Sequence, residues 1–153
     1  MFFIGLAFRS EGLPEDAVNA YNNALQLCPL YSDCYFNLGN IYFEGDLDKG
    51  ADITKAELCH RNALQSLEET ERIGIEEGNN PKSIITVSRV CNMLGEISKR
   101  KNDYEAAISY YLQGLEKEPL GYIDNYLDLA DISEMLNEQE VYTIIMTFAK
   151  FMT

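Results

Sequence analysis

The sequence predicts an all-α fold of antiparallel helix pairs, and three observations predict it. One set of residues returns at the same internal offsets. Gly5, Phe8, Ala17, Tyr21, Ala24 and Pro29 are followed by Gly95, Ser98, Ala107, Tyr111, Gly114 and Pro119, each 90 positions after its partner. Between the two sets, Leu38-Gly39-Asn40-Ile41-Tyr42 places Gly39 34 residues after Gly5. Ala17, Tyr21 and Ala24 stand at i, i+4 and i+7, one face of a helix, where small residues flank a ring that fills the space between helices.

The same residues say how each pair is built. Gly5, Gly39 and Gly95 fall mid-helix, where glycine costs about 1 kcal/mol against alanine. A cost repeated at fixed spacing implies close approach of two helices. Pro29 and Pro119 stand where the second helix of a pair must stop, because proline cannot continue it. Glu11-Gly12-Leu13-Pro14 and Lys101-Asn102-Asp103-Tyr104 are the turns within pairs, and Pro14 suits the first turn of the helix that follows.

A 34-residue period with a Gly-x-x-aromatic half and an Ala-x-x-x-aromatic-x-x-Ala half resembles the tetratricopeptide repeat. The resemblance is strong in the first and third units, good in the first half of the second, and weak in the fourth. It implies a right-handed α-solenoid of about four units and eight helices, stabilised by contacts between neighbours. It also implies a protein-binding role without catalysis.

The four units span about 1–31, 32–80, 81–121 and 122–153, as a single array. The usual aromatic of the first helix would fall near residue 1. In the second unit Ser32 or Asp33 is expected to cap the first helix. Its second half returns as Ala56, His60 and Ala63, which lie 39 after Ala17, Tyr21 and Ala24, so five residues are inserted in the turn. The polar, glycine-bounded stretch Glu44 to Gly50 carries them. It lacks the spacing of a Ca²⁺-binding loop.

The second helix of this unit is expected to run on by two turns, through Ser66 to Ile75. Gly78-Asn79-Asn80-Pro81 then breaks it, with Asn80 and Pro81 opening a helix that continues through Ile84, Ile85, Val90 and Leu94 to Lys99. Such lengthening resembles the longer repeats of the kinesin-light-chain type. In the fourth unit Leu129, Ile132, Ser133, Asn137 and Glu140 follow Leu94, Ile97, Ser98, Asn102 and Glu105 by 35. Ala130 replaces the glycine there and Tyr142 the small alanine, so packing should differ. Val141, Ile144, Ile145, Phe148 and Phe151 mark its second helix. No polar capping helix closes the chain, so both ends are expected to continue into a longer array or to be covered by a partner.

Composition narrows the function. Of 153 residues, 46% are apolar, enough for a core and too many for a disordered chain. Twelve Lys plus Arg stand against 25 Asp plus Glu, a formal charge of −13. That disfavours nucleic acid and anionic membranes as partners and favours a basic one. Cys28, Cys34, Cys59 and Cys91 form no C-x-x-C pair, and His60 adjoins Cys59, on a different helix face. No metal or cofactor is expected. Cysteines used as small buried hydrophobes fit a reducing, intracellular and cytoplasmic setting. No apolar run approaches a membrane span, and Met1 to Phe8 is too short and wrongly flanked for a signal peptide. No Ser-His-Asp or Cys-His constellation, P-loop or G-x-G-x-x-G is present, so no enzyme is expected.

The resemblance implies that the first helix of each pair lines a concave surface. The residues between packing positions there are Asp33, Phe36, Asn37, Asn40, Phe43 and Glu44 in the second unit, Arg89, Asn92, Met93, Glu96 and Arg100 in the third, and Leu127, Asp128, Asp131 and Glu134 in the fourth. Asn37 and Asn40 resemble the groove asparagines of O-linked N-acetylglucosamine transferase repeats, where amides pair with the backbone of an extended peptide. Asn37, Asn40, Arg89 and Asn92 also resemble part of the carboxylate clamp of chaperone adaptors. The clamp's lysines are missing, and Glu44, Glu96, Asp128 and Asp131 would repel a terminal carboxylate. Lys99-Arg100-Lys101 complements a helix C-terminus. The acidic stretch Glu68, Glu69, Glu71, Glu76, Glu77 is a solvated helix face or an alternative dock for a basic segment. The expected function is a non-catalytic interaction scaffold, a section of a larger assembly subunit that holds a protein or peptide in the concave groove. The alternatives are the substrate-presenting repeats of such a transferase and a chaperone adaptor.

Overall fold

A computed structural model describes residues 1–73, 83–119, 123–137, 139–140, 143 and 146. Among them every regular element is helical: α1 (Phe2–Ser10), α2 (Pro14–Leu27), α3 (Ser32–Glu44), α4 (Ile53–Ile73), α5 (Val87–Arg100), α6 (Tyr104–Lys117) and α7 (Asp124–Met135). The chain divides into two compact units, Met1–Thr86 and Val87–Thr153.

In the first unit α1 packs on α2, α2 on α3 and α3 on α4. Pro14 occupies the first turn of α2, followed by Glu15 and Asp16, whose charges favour a helix N-terminus. α2 ends at Leu27, just before Cys28 and Pro29. α3 closes on Gly45, whose φ of 77° is the left-handed conformation that glycine adopts without strain. The insertion then runs to Asp52, where Asp52 Oδ1 accepts the Lys55 amide at 2.9 Å and caps α4. α4 has 21 residues against 14 in α2, the two extra turns read from the spacing. Phe2, Ala17, Val18, Tyr21, Ala24, Cys34, Leu38 and Ile41 form the core.

In the second unit α5 packs on α6 and α6 on α7, and α7 also touches α5. The turn after α5 holds Asn102 at φ 60°, and Asp103 caps α6 by accepting the Ala106 amide at 3.1 Å. Ala107, Ile108, Tyr111 and Ile132 are the centre of this core.

The glycine spacing is explained by three contacts of one kind. A Cβ on Gly5 would overlap the Tyr21 ring, one on Gly39 the His60 ring, and one on Gly95 the Tyr111 ring. Each ring comes from the second helix of the pair and fills the space beside the glycine of the first.

Two expectations are corrected. Ser32 and Asp33 do not cap α3; Tyr31 holds the cap position without a side-chain bond. Both side chains are instead buried and turned to residues 83–85. The helix expected to continue through Ile84 and Ile85 begins only at Val87. The Asp33 carboxylate accepts the Ser83 hydroxyl at 2.6 Å and the amides of Ile84 and Ile85 at 3.2 Å each, which holds this stretch out of the helix. The β-branched run Ile84-Ile85-Thr86-Val87 also loses side-chain freedom in a helix. The Asn80-Pro81 cap, Glu76, Glu77, Tyr142 at the position of the small alanine, and Val141, Ile144, Ile145, Phe148 and Phe151 lie outside the described residues.

Candidate partner-binding face

α5 and α7 bring together a polar cluster in the second unit. Asn92 Nδ2 donates to Asp128 Oδ2 at 2.7 Å. Lys99 Nζ lies 2.9 Å from Glu96 Oε1 and 3.6 Å from Asp128 Oδ1, so one ammonium serves two carboxylates. From α6, the Tyr111 hydroxyl donates to Glu96 Oε1 at 2.6 Å. Asp131 adds its charge from the same helix as Asp128.

The electrostatics of this cluster follow from burial and pairing. Burial works against charge on Glu96, but hydrogen bonds from Tyr111 and Lys99 outweigh it and hold the carboxyl below its usual range. Burial raises Asp128, the Asn92 bond opposes that, and the Glu96 charge adds to the rise. A proton taken up by the pair therefore goes to Asp128, from which it bonds Glu96. Burial opposes charge on Lys99 too, yet Glu96 and Asp128 hold its pKa above the ordinary value. Burial and the Glu96 bond push the Tyr111 phenol up.

The residues singled out in the sequence fall into two groups. Phe36 is 2% exposed, with its ring edge-on to His60 at 5.2 Å between centroids; it is a packing residue. Asn92 is 5% exposed and held by Asp128. These two are corrected from contact residues to interior ones. Asn37 is half-buried, its Nδ2 donating to the Asp33 carbonyl one turn back at 2.8 Å. Asn40 is half-buried, with a buried Oδ1 that has no partner. Glu44 is exposed and paired with Arg9. Arg89 and Asp131 are exposed, and Glu96 is half-buried. Asn37, Asn40 and Glu44 thus share α3, while Arg89, Glu96 and Asp131 belong to the second unit.

Sequence reasoning missed Lys99 as the bridge between carboxylates. The signal was present, since Glu96 and Lys99 stand at i and i+3. It also missed Asn125, which is fully buried and donates to Ser88 Oγ at 2.9 Å. Gly114 was the clue: it stands where the first unit has Ala24, and a Cβ there would come within 2.8 Å of Asn125 Nδ2. Beside α7, Pro119, Ile123, Tyr126 and Leu127 line an apolar cleft of about 340 Å³.

Two family models match this chain, described as TPR repeat over residues 5–45 and as tetratricopeptide repeat over residues 88–119. The chain is a tetratricopeptide-repeat protein. The matched stretches hold the Gly5–Tyr21 and Gly95–Tyr111 contacts and the start of the pair closed by Gly39 and His60. Tetratricopeptide repeats are, as a family, protein-interaction modules. No curated protein matches the chain. Among the described residues no group of three His, Cys, Asp or Glu is placed to hold a metal ion, and no helix is long and apolar enough to cross a membrane.

Proposed function

We propose that this tetratricopeptide-repeat protein is a scaffold section of a larger assembly and holds an extended, basic segment of a protein partner on the first helices of its pairs. The observation that carries this reading is the sharing of Lys99 between Glu96 and Asp128, with Asp131 beside them. Carboxylates outnumber the ammonium they share, so an incoming guanidinium or ammonium is attracted to the cluster. The formal charge of −13 supports the same sign of partner. Taken by itself, the first unit presents the amides of Asn37 and Asn40 on α3, which would pair with the backbone of an extended segment.

The carboxylate-clamp reading is weaker on the same observation. A clamp needs a cation that a terminal carboxylate can reach unopposed, and Lys99 is already matched by two carboxylates.

Binding of labelled arginine-rich peptides and of acidic peptides with a free C-terminus, measured by fluorescence anisotropy at low and high salt, tests the proposal. The basic peptides should bind more tightly and weaken as salt rises. Asp128→Asn with Asp131→Asn should weaken them further. Preferential binding of the acidic peptides would overturn the reading.

A further inference from the structure

The three glycine–ring contacts use two phenols and one imidazole, and the imidazole alone of these rings changes charge near neutral pH. His60 is 0% exposed, and neither Nδ1 nor Nε2 has a hydrogen-bond partner. The ring lies against the Gly39 backbone, with the Phe36 ring nearly perpendicular to it at 5.2 Å between centroids. In the second unit the corresponding ring, Tyr111, reaches past its glycine and donates to Glu96, the next residue along α5. The residue after Gly39 is Asn40, and its buried Oδ1 is left without a donor. An imidazole is shorter than a phenol and does not reach it.

We propose that His60 is an acid-sensitive latch in the α3–α4 pair: the neutral ring closes the pair, and its protonation opens it. A protonated imidazole has two N–H donors and a full charge, and the pocket offers it glycine backbone and the Phe36 ring, nearly perpendicular to it, with no hydrogen-bond acceptor for either nitrogen. Burying a cation without a partner is unfavourable enough that the structure gives way or the proton is refused.

The ionisable groups around the ring do not rescue it. α4 packs on α3. On α3, Asp33 is committed to Ser83 and two amides, and Glu44 to Arg9. Tyr35 and Tyr42 keep their protons, since burial raises both phenols. On α4, Glu57 pairs with Arg61 at 2.9 Å, and burial pushes the Cys59 thiol up to about 11. Burial alone acts on the ring, lowering its pKa from 6.5 to about 4.

The sign follows. Above pH 6.5 the ring is neutral whether the pair is closed or open. Below it the open form takes up a proton that the closed form refuses. The ratio of closed to open then falls about tenfold per pH unit until the pH nears the closed-state value. Asn37, Asn40 and Glu44 ride on α3, so under the binding function proposed above the same proton would release a partner. The titration below uses no partner and stands or falls without that function.

His60 is the sole histidine of the chain, so its Cε1–H resonance is unambiguous in an NMR titration. In the folded protein the resonance should hold its neutral position down to pH 5.5, and signals of the first unit should be lost as the pH falls further. His60→Tyr places in this pair the ring used by the other two, and His60→Phe removes the titrating group without adding a hydroxyl. Either variant should melt at nearly the same temperature at pH 7.5 and pH 5.5, while the wild type melts lower at pH 5.5. A native resonance that titrates near pH 6.5, or a wild type and variants that lose stability equally, would overturn the proposal. If neither variant folds, the wild-type titration decides alone.

Discussion

The ring of Tyr111 occupies the space that a side chain on Gly95 would fill. Gly95→Leu should therefore destabilise the second unit. The new side chain must displace Tyr111, lose its hydrogen bond to Glu96, or separate α5 from α6. Overpacking of this kind costs about 1–3 kcal/mol. Urea unfolding should show a lower midpoint, and an unchanged midpoint would mean that the ring moves aside without strain.

Tyr21 and Tyr111 fill equivalent places with different consequences for their hydroxyls. Tyr111 donates to Glu96, whereas the buried Tyr21 hydroxyl has no partner. The residue after Gly5 is Leu6, which offers no side-chain acceptor. Tyr111→Phe should cost about 1–2 kcal/mol, and Tyr21→Phe should be neutral or stabilising, because it removes an unsatisfied polar group. Thermal melting of the two variants side by side distinguishes them. Equal losses would show that Tyr21 has a partner in solution.

Asp33 ties α3 to residues 83–85; its own side chain is buried, the bond to the Ile85 amide is buried, and those to Ser83 and the Ile84 amide are part-buried. Asp33→Ala should cost about 2–3 kcal/mol, since charge-assisted bonds are lost and their donors left unpaired. Asp33→Asn keeps an acceptor and should cost less. Hydrogen exchange at the Ile84 and Ile85 amides should quicken in both variants. Unchanged exchange there would show that these amides are protected by something other than the carboxylate.

The repeat pattern was legible because it recurs. Gly5, Gly39 and Gly95 make a contact that physics allows only to a residue without a side chain, and it left the same mark three times. The extra turns of α4 were legible for the same reason, since helical spacing continued past Ala63. The Asp33 bonds were not legible. They join residues 50 apart in sequence across a stretch with no period, and Ser-Asp before an apolar helix reads as a cap by any local rule. The candidate face was half legible. Asp131 is exposed and Glu96 half-buried, but Phe36 and Asn92 were taken by neighbouring side chains, His60 and Asp128 respectively. Helical spacing places a residue on a face; it does not say whether another helix covers that face.

Under the proposed function, Lys99 should set how strongly the second unit attracts a basic segment. It lies within reach of Glu96 and Asp128, and its removal leaves both without their ammonium. All three side chains are partly exposed, so Lys99→Met should lower stability by no more than about 1 kcal/mol. Its effect on binding should be larger than on folding. Affinity for an arginine-rich peptide should rise, because the peptide's cation now takes the place of the missing one. The dependence on salt should steepen as well, since more uncompensated charge is screened. Asp128 should also become harder to ionise, because the Lys99 charge that favours its carboxylate is gone while burial and the Glu96 charge remain. The gain in affinity should therefore be greatest at neutral to alkaline pH and shrink as the pair takes up a proton in acid. Anisotropy titrations of wild type and Lys99→Met at two salt concentrations and two pH values measure all of this. An affinity for the basic peptide that is unchanged or falls would show that the carboxylates are not the attracting groups. A concurrent loss of binding to peptides with a free C-terminus would show that Lys99 itself contacts the ligand.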